Sequence, residues 1–411
     1  MLEFHIEQPA GISVSLVEGW LELSGWAAGT EPIVGITFQL AGSAPVRARY
    51  GGNRPDVAAA HPDYLHGTCS AFACHVYAGN RSSDELVIDA EILGRSGERK
   101  TARMTFNVTS KIALESGEQF QACPGCGNGP TGAQSQFVHG PYHMHACGSC
   151  GLAFVHPLPS KDFLKRYYDE TYWHQAIQRP RVDSEHYDSG FIADLIRSHH
   201  AAASKVLEVG CGPGMLLSGL RRRGFEVLGQ DYSSEAAKIA AEIFGIEVRV
   251  APLSDLTKWP CDAIVLRHVI EHSPNACEDL SYAASMLKPG GLMIVITPNL
   301  DSLAARLLAS TWEWFIPPAH LFYFSPRSLS QLSNRLGLEV LQMTTRRGDG
   351  VSNCASIGAY LDYESLTLQH WQRESLQAAL ALLDHHTNSD AIIASLGLGN
   401  EVIGVLLRPS L

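Results

Sequence analysis

Between residues 206 and 272 the sequence gathers side chains whose types and spacing suit chemistry. Three glycines, Gly210, Gly212 and Gly214, follow the apolar run Val206-Leu207-Glu208-Val209 at alternate positions. Glycine lets a backbone turn tightly and approach a ligand without Cβ clashes. About 20 residues past the turn, Asp231 ends a second apolar run, where an acid can accept both hydroxyls of a ribose. A dinucleotide site prefers G-x-G-x-x-G, which sets a pyrophosphate on a helix N-terminus. Here Glu208 precedes the turn and would repel phosphate, so an amino-acid ammonium suits it better. Further on, Arg267-His268-Val269-Ile270-Glu271-His272 and His320, just after Pro317-Pro318, supply acids, bases and a fixed cation.

A second set lies upstream. Cys123-Pro-Gly-Cys126 and Cys147-Gly-Ser-Cys150 are two C-x-x-C knuckles separated by about 20 residues, the spacing of a four-cysteine structural zinc site. A closed four-thiolate shell leaves no open position, so such a metal is structural rather than catalytic. Two disulfides or a redox pair are the alternatives, and His139, His143 or His145 could replace one ligand. Cys69, Cys74, Cys211, Cys261, Cys277 and Cys354 show no ligand spacing and read as free buried thiols.

The elements that must position these groups are legible from periodicity. Short apolar runs closed by glycine or an acid suit parallel strands covered on both faces. Strands are expected at 206–209, 225–230, 247–250, 263–266 and 292–297. Helices lie between them, the first ending in Arg221-Arg222-Arg223-Gly224 and the second capped by Ser233 or Ser234 and stopped by Gly245. This alternation predicts a doubly wound α/β sheet with its ligands outside the strand carboxyl ends. Upstream, strand-like segments at 12–16, 21–26, 33–40, 71–77, 86–93 and 101–108 predict an antiparallel β-sandwich over residues 1–110. Trp20, Trp26 and Tyr64 there are either a sugar-stacking platform or packing residues. Phe163, Tyr167 and Tyr168, followed by Tyr172 and Trp173, suit either a lid or interdomain packing.

The chain has 411 residues, enough for two or three domains. Its net charge of −11 argues against nucleic acid as a main partner. The longest apolar runs are too short to span a membrane, and residues 1–11 lack the basic and apolar regions of a signal peptide, so a cytoplasmic protein is expected.

The ordered motifs Glu208-x-Gly-x-Gly-x-Gly214, Asp231, His268-Val-Ile-Glu-His272, Leu287-Lys-Pro-Gly-Gly291 and Pro298-Asn299 resemble class I S-adenosylmethionine-dependent methyltransferases. The resemblance implies a Rossmann-like domain over 159–411, closed by an antiparallel hairpin of residues 338–343 and 401–407, with a helical insertion near 358–395. It implies that Gly210, Gly212 and Gly214 approach the methionine part of the cofactor and Glu208 orients its ammonium. Asp231 would hold the ribose, Tyr232 would flank the adenine, Leu253 would offer its backbone, and Arg267 would complete the cofactor site. His320 is the first candidate base, with His268, Glu271 and His272 as further catalytic candidates or divalent-ion ligands. A zinc ribbon at 118–158 before such a domain is similar to sugar C-methyltransferases. The N-terminal segment resembles β-sandwich modules of some bacterial glycosyltransferases. The expected partner is a small-molecule or glycan acceptor, and a homodimer is possible. The rival functions are an O-methyltransferase of the quinone-pathway type and a non-catalytic glycan-binding scaffold.

Overall fold

A computed structural model describes residues 2–112, 122–167, 186–346 and 393–410, apart from positions 18, 44, 53, 66, 68–69, 80–84, 129–132, 140–141, 257–258, 309–311 and 313. Tyr168, Tyr172, Trp173 and the expected insertion up to residue 392 lie outside the described residues.

The N-terminal strands are β1 (Leu2–Gln8), β2 (Ser13–Val17), β3 (Trp20–Gly29), β4 (Ile33–Leu40), β5 (Val46–Arg47), β6 (Arg49–Gly52), β7 (Ala71–Tyr77), β8 (Glu85–Gly94) and β9 (Arg99–Ile112), with a short helix α1 (Pro55–Ala60). They form one nine-stranded sheet in the order β5-β4-β8-β9-β2-β3-β7-β6, with β1 beside β3. All pairs are antiparallel except β2 with β9, a departure from the fully antiparallel pattern expected. Alternate residues of β7 and β8 point into a single apolar core built around Leu23, Ile36, Phe38, Ile88 and Ile92. Trp20 is buried and packs on Tyr77, so it is no exposed platform. Trp26 is only half-buried and packs on His61, which stacks on Tyr64.

The cysteine region forms β10 (Ala133–His139), β11 (Tyr142–Ala146) and β12 (Ala153–His156), followed by α2 (Lys161–Tyr167). Its sheet takes a fourth strand from far along the chain, β18 (Phe322–Tyr323), through the pairs Ala153↔Tyr323 and Phe154↔Phe322. Phe163 and Leu164 of α2 are buried in the core that the cysteine region shares with the α/β sheet.

The remaining elements are α3 (Ser189–His199), β13 (Lys205–Val209), α4 (Met215–Arg222), β14 (Glu226–Asp231), α5 (Ser234–Ile239), β15 (Val248–Val250), β16 (Cys261–Arg267), α6 (Ala276–Met286), β17 (Leu287–Pro298), α7 (Leu303–Leu308), α8 (Pro326–Arg335), β19 (Glu339–Arg346) and β20 (Glu401–Leu407). The sheet order is β15-β14-β13-β16-β17-β20-β19, parallel except for β20, which runs antiparallel to both neighbours. Strands β13, β16 and the 292–298 part of β17 are buried on both faces, as their mainly apolar sequences suit. Ser233 caps α5 by accepting the Ala236 N–H, and the helix then widens into a π turn (Ala240–Phe244) that Gly245 ends at φ +61°.

Gly25 marks a close backbone approach, since a Cβ there would lie 1.9 Å from the His5 carbonyl oxygen. Gly25→Ala must therefore push β1 off β3. Urea unfolding followed by tryptophan fluorescence should show the N-terminal sheet destabilised by about 1–3 kcal/mol; an unchanged midpoint would contradict the β1–β3 register.

Candidate active site

The site is built on the carboxyl ends of β13, β14 and β16. Gly210, Gly212 and Gly214 all hold positive φ (64°, 51° and 79°), a region that disfavours any side chain. A Cβ on Gly210 would meet Val269 at 2.6 Å, whereas one on Gly212 would meet nothing within 4 Å. The turn thus presses on the Arg267–His272 loop on one side and opens onto free space on the other.

Two carboxylates flank the turn. Glu208 is buried, and its Oε2 has no hydrogen-bond partner among the described residues. Burial pushes its carboxyl well above the usual range; Arg267 opposes that shift and Asp231 adds to it. A buried carboxylate oxygen without a donor is costly, and a cation supplied by a ligand would relieve it. Asp231 is also buried, its Oδ2 accepting the Gly212 N–H at 2.8 Å and its Oδ1 the Ser233 N–H at 2.8 Å. Each oxygen retains a second lone pair. Burial raises its carboxyl as well. Tyr232 beside it is exposed, with its ring available as a flat surface. Leu253 is buried in the core, so its side chain serves packing.

Arg267 turns toward the helix α3 cap, donating to Asp188 (2.9 Å) and to the Tyr187 hydroxyl (3.0 Å). Asp188 also takes a two-pronged bond from Arg346 (2.6 and 2.8 Å), and Arg346 donates to Glu401 at 2.7 Å. Glu401 in turn receives His268 Nε2 at 2.9 Å, while His268 Nδ1 lies 3.1 Å from Glu271. Thr297 donates to the other Glu271 oxygen at 3.0 Å. Signs alternate along the whole row: Arg267, Asp188, Arg346, Glu401, His268, Glu271. Burial alone would lower the His268 pKa, but the two carboxylates outweigh it and raise the ring to about 9. Burial would raise Glu271, and the His268 cation instead brings it down to about 2. His268 is therefore an imidazolium at neutral pH, and its ring nitrogens already face two acids. This protonation state removes it as a base, because it holds a proton rather than accepting one. It is also the one described non-glycine residue with positive φ, at 51°, a strain that the two carboxylates hold in place.

His320 differs. It is buried, burial with a contribution from His272 lowers its pKa to about 3, and its Nδ1 faces the Trp314 carbonyl at 2.8 Å. A carbonyl only accepts, so Nδ1 carries the proton and Nε2 the lone pair. His272 likewise faces the Ala319 carbonyl through Nδ1 at 2.8 Å, and burial lowers its pKa. The Trp314 indole lies parallel between His320 (5.7 Å, 6°) and His268 (5.2 Å, 16°), and its buried Nε1 has no partner. Ligand atoms of Glu271, His272 and His320 lie within 4.8 Å of one another, so His320 rather than His268 completes the set that could hold a divalent ion.

The sequence reading did not anticipate Asp188, Arg346, Glu401 or Trp314. Glu401 had a signal, as the one charged residue in the apolar strand Glu401-Val-Ile-Gly-Val-Leu-Leu. Upstream, the Sγ atoms of Cys123, Cys126, Cys147 and Cys150 lie within 4.8 Å of one another, a donor set that fits tetrahedral zinc.

The sign of the pH dependence follows from these shifts. The His268 contribution to stability is fully present below its ordinary 6.5 and is lost as pH rises through about 9. The Glu271 and Glu401 contributions are present above 4.5 and are lost as pH falls through about 2. Thermal unfolding of wild type minus His268→Gln should therefore narrow steadily between pH 6.5 and 9; a difference independent of pH would refute the imidazolium assignment.

Residues 184–343 match the family described as "Methyltransferase domain". Among curated proteins, the ubiquinone biosynthesis O-methyltransferase of Alkalilimnicola ehrlichii is 31% identical over 139 residues, 28% of this chain and 56% of that protein. Its namesake from Marinobacter nauticus is 28% identical over 182 residues, 40% of this chain and 76% of that protein. That of Xylella fastidiosa is 36% identical over 117 residues, 26% of this chain and 47% of that protein. The chain thus spans about half to three quarters of the length of these relatives. A solved structure of a SAM dependent methyltransferase from Archaeoglobus fulgidus is 19% identical, covering 54% of this chain and 94% of that one at TM-score 0.36. No described helix is long and apolar enough to cross a membrane. The matched span begins just before Asp188 and takes in Glu208, Asp231 and His268, so this part of the chain is similar to methyltransferase domains.

Proposed function

We propose that the protein transfers a methyl group from S-adenosylmethionine to a sugar or glycan precursor, free or nucleotide-activated. The observation that carries the cofactor assignment is the unpartnered, buried Glu208 Oε2 beside a glycine turn that opens onto free space. An amino-acid ammonium satisfies that oxygen, the second lone pairs of Asp231 can accept ribose hydroxyls, and the exposed Tyr232 ring can flank a base. The bound cofactor supplies an electrophilic methyl on a sulfonium, and transfer is a displacement that orientation accelerates. The acceptor oxygen or carbon takes the methyl, the C–S bond pair returns to sulfur, and the acceptor's proton needs a base when it is a poor nucleophile. Among the four catalytic candidates, His320 has the free lone pair for that role, whereas His268 and Glu271 are engaged with each other. The sugar reading rests on the four-cysteine ribbon and the N-terminal sheet that precede the domain. Trp26 and Tyr64 remain the candidates there for glycan contact. A second reading, O-methylation of a quinone-like phenol, is favoured by the relatives' names and by the flat Trp314–His320 wall. A cytoplasmic location and a homodimer complete the proposal.

Mass spectrometry of nucleotide-sugar and dihydroxyphenol panels, incubated with the cofactor, should find a gain of one methylene unit in the sugar set. A gain confined to the phenols would replace the first reading with the second. Glu208→Gln should weaken the demethylated cofactor in calorimetry by about ten- to a hundredfold, the worth of a hydrogen bond to a charged group; unchanged affinity would move the ammonium elsewhere. For the ribbon, zinc close to one equivalent is expected by elemental analysis of freshly purified protein, and less than about half an equivalent would count against it.

A further inference from the structure

The segment that follows the Pro317-Pro318 turn is held from both sides. On the domain side, the Leu321 and Phe322 N–H groups donate to the Glu271 carbonyl at 2.7 and 3.2 Å. On the ribbon side, the Val155 N–H donates to the Leu321 carbonyl at 2.9 Å, and β12 pairs with β18 directly after it. Tyr323 is buried and its hydroxyl donates to the His320 carbonyl at 3.1 Å. Leu321 therefore joins the cysteine ribbon to the Arg267–His272 loop through its own two backbone groups.

Helix α8 adds a second connection. It begins immediately after this segment with a reciprocal Ser325–Ser328 capping box. Its two arginines reach back to the two knuckles, Arg327 to the Ser149 carbonyl (2.9 Å) and Arg335 to the Gly125 carbonyl (2.6 Å). Each acceptor sits between the cysteines of its own C-x-x-C turn. Rings interlock across the same boundary, Phe137 edge-on to Phe315 at 5.3 Å and Phe154 near Phe322 at 6.2 Å. A thiolate cluster fixes the two knuckle turns relative to each other, since four ligands on one ion leave those turns little freedom.

We propose that the four-cysteine ribbon is the anchor that sets His320 and Trp314 against the Arg267–His272 loop, with Arg327 and Arg335 as positioning residues. The ribbon acts on the acceptor wall and not on the cofactor grip, because its contacts run to residues 320–324 and α8. None of those bonds reaches Glu208, Gly210–Gly214 or Asp231. This inference rests on the zinc reading for its metal-dependent part only. The arginine contacts stand independently of it.

The test uses the full-length protein in two arms, each read by amide hydrogen exchange over residues 319–325, by Trp fluorescence, and by calorimetry with the demethylated cofactor. In the first arm zinc is removed with a chelator and its loss verified by elemental analysis. In the second, the double variant Arg327→Ala/Arg335→Ala keeps all four cysteines. Both arms should speed exchange at 319–325 about tenfold or more while the cofactor's affinity stays within about twofold. Restoring the Arg335 contact with Arg335→Lys alongside Arg327→Ala should recover part of the protection. Zinc removal that leaves exchange at 319–325 unchanged overturns the metal-dependent anchor. Protection that survives in the double arginine variant overturns the positioning roles. A protein that never held zinc defeats the zinc reading alone, and the arginine arm then still decides the anchor. A parallel loss of cofactor affinity in both arms, signalling general unfolding, also counts against the proposal.

Discussion

The arrangement depends on one buried ladder of alternating charge. Six ionisable side chains from five separate places meet in it: Arg267 and His268 at the end of β16, Asp188 at the α3 cap, Arg346 at the end of β19, Glu401 at the start of β20, and Glu271 in the following loop. Burying any one of these charges alone would be expensive, and each is tolerated because its neighbours on the ladder carry the opposite sign. Removing a single rung strands the next, so the ladder specifies how the helix before the sheet, the closing hairpin and the motif loop meet. It also accounts for a histidine held at positive φ, since two carboxylates at about 3 Å fix its ring from both sides.

The glycine-turn end obeys the opposite logic. Among the described residues, Glu208 and Asp231 are two buried acids without a cation at hydrogen-bond distance; Arg267, which opposes the Glu208 shift, is committed to Asp188 and Tyr187. Burial raises both carboxyls. A buried acid favours a cationic neighbour over a neutral one, because opposite charge offsets the cost of burial. One side of the domain has its charges paired, and the other holds two acids whose carboxyls burial raises.

Between the two, the wall formed by Trp314, His320 and His272 is shaped by burial. His320 and His272 are kept neutral by the loss of water around them, in contrast to His268 on the other side of Trp314, where two acids reverse the same effect. Three histidines in one pocket therefore hold different protons for reasons that lie in their immediate partners. Strand β12 of the cysteine region pairs with β18 shortly after His320, and the two regions share one apolar core.

Local sequence alone determined the parts of this protein that short-range physics controls. The glycines at 210, 212 and 214 were legible because only glycine accepts three left-handed positions so close together. The parallel strands were legible because strands buried on both faces must be uniformly apolar. The cysteine set was legible because two knuckles on tight turns can converge on one centre. Tertiary structure decided what depends on partners distant in sequence. His268 reads as a base until Glu401, far along the chain, is placed against its other nitrogen and makes it a cation. Asp188 and Arg346 carry no motif, and their pairing exists because β19 and α3 are brought together at the carboxyl edge of the sheet. The joining of β12 to β18 could not be read either, since two-residue pairings leave no periodicity, and hydrogen bonds between backbones are indifferent to which side chains they carry.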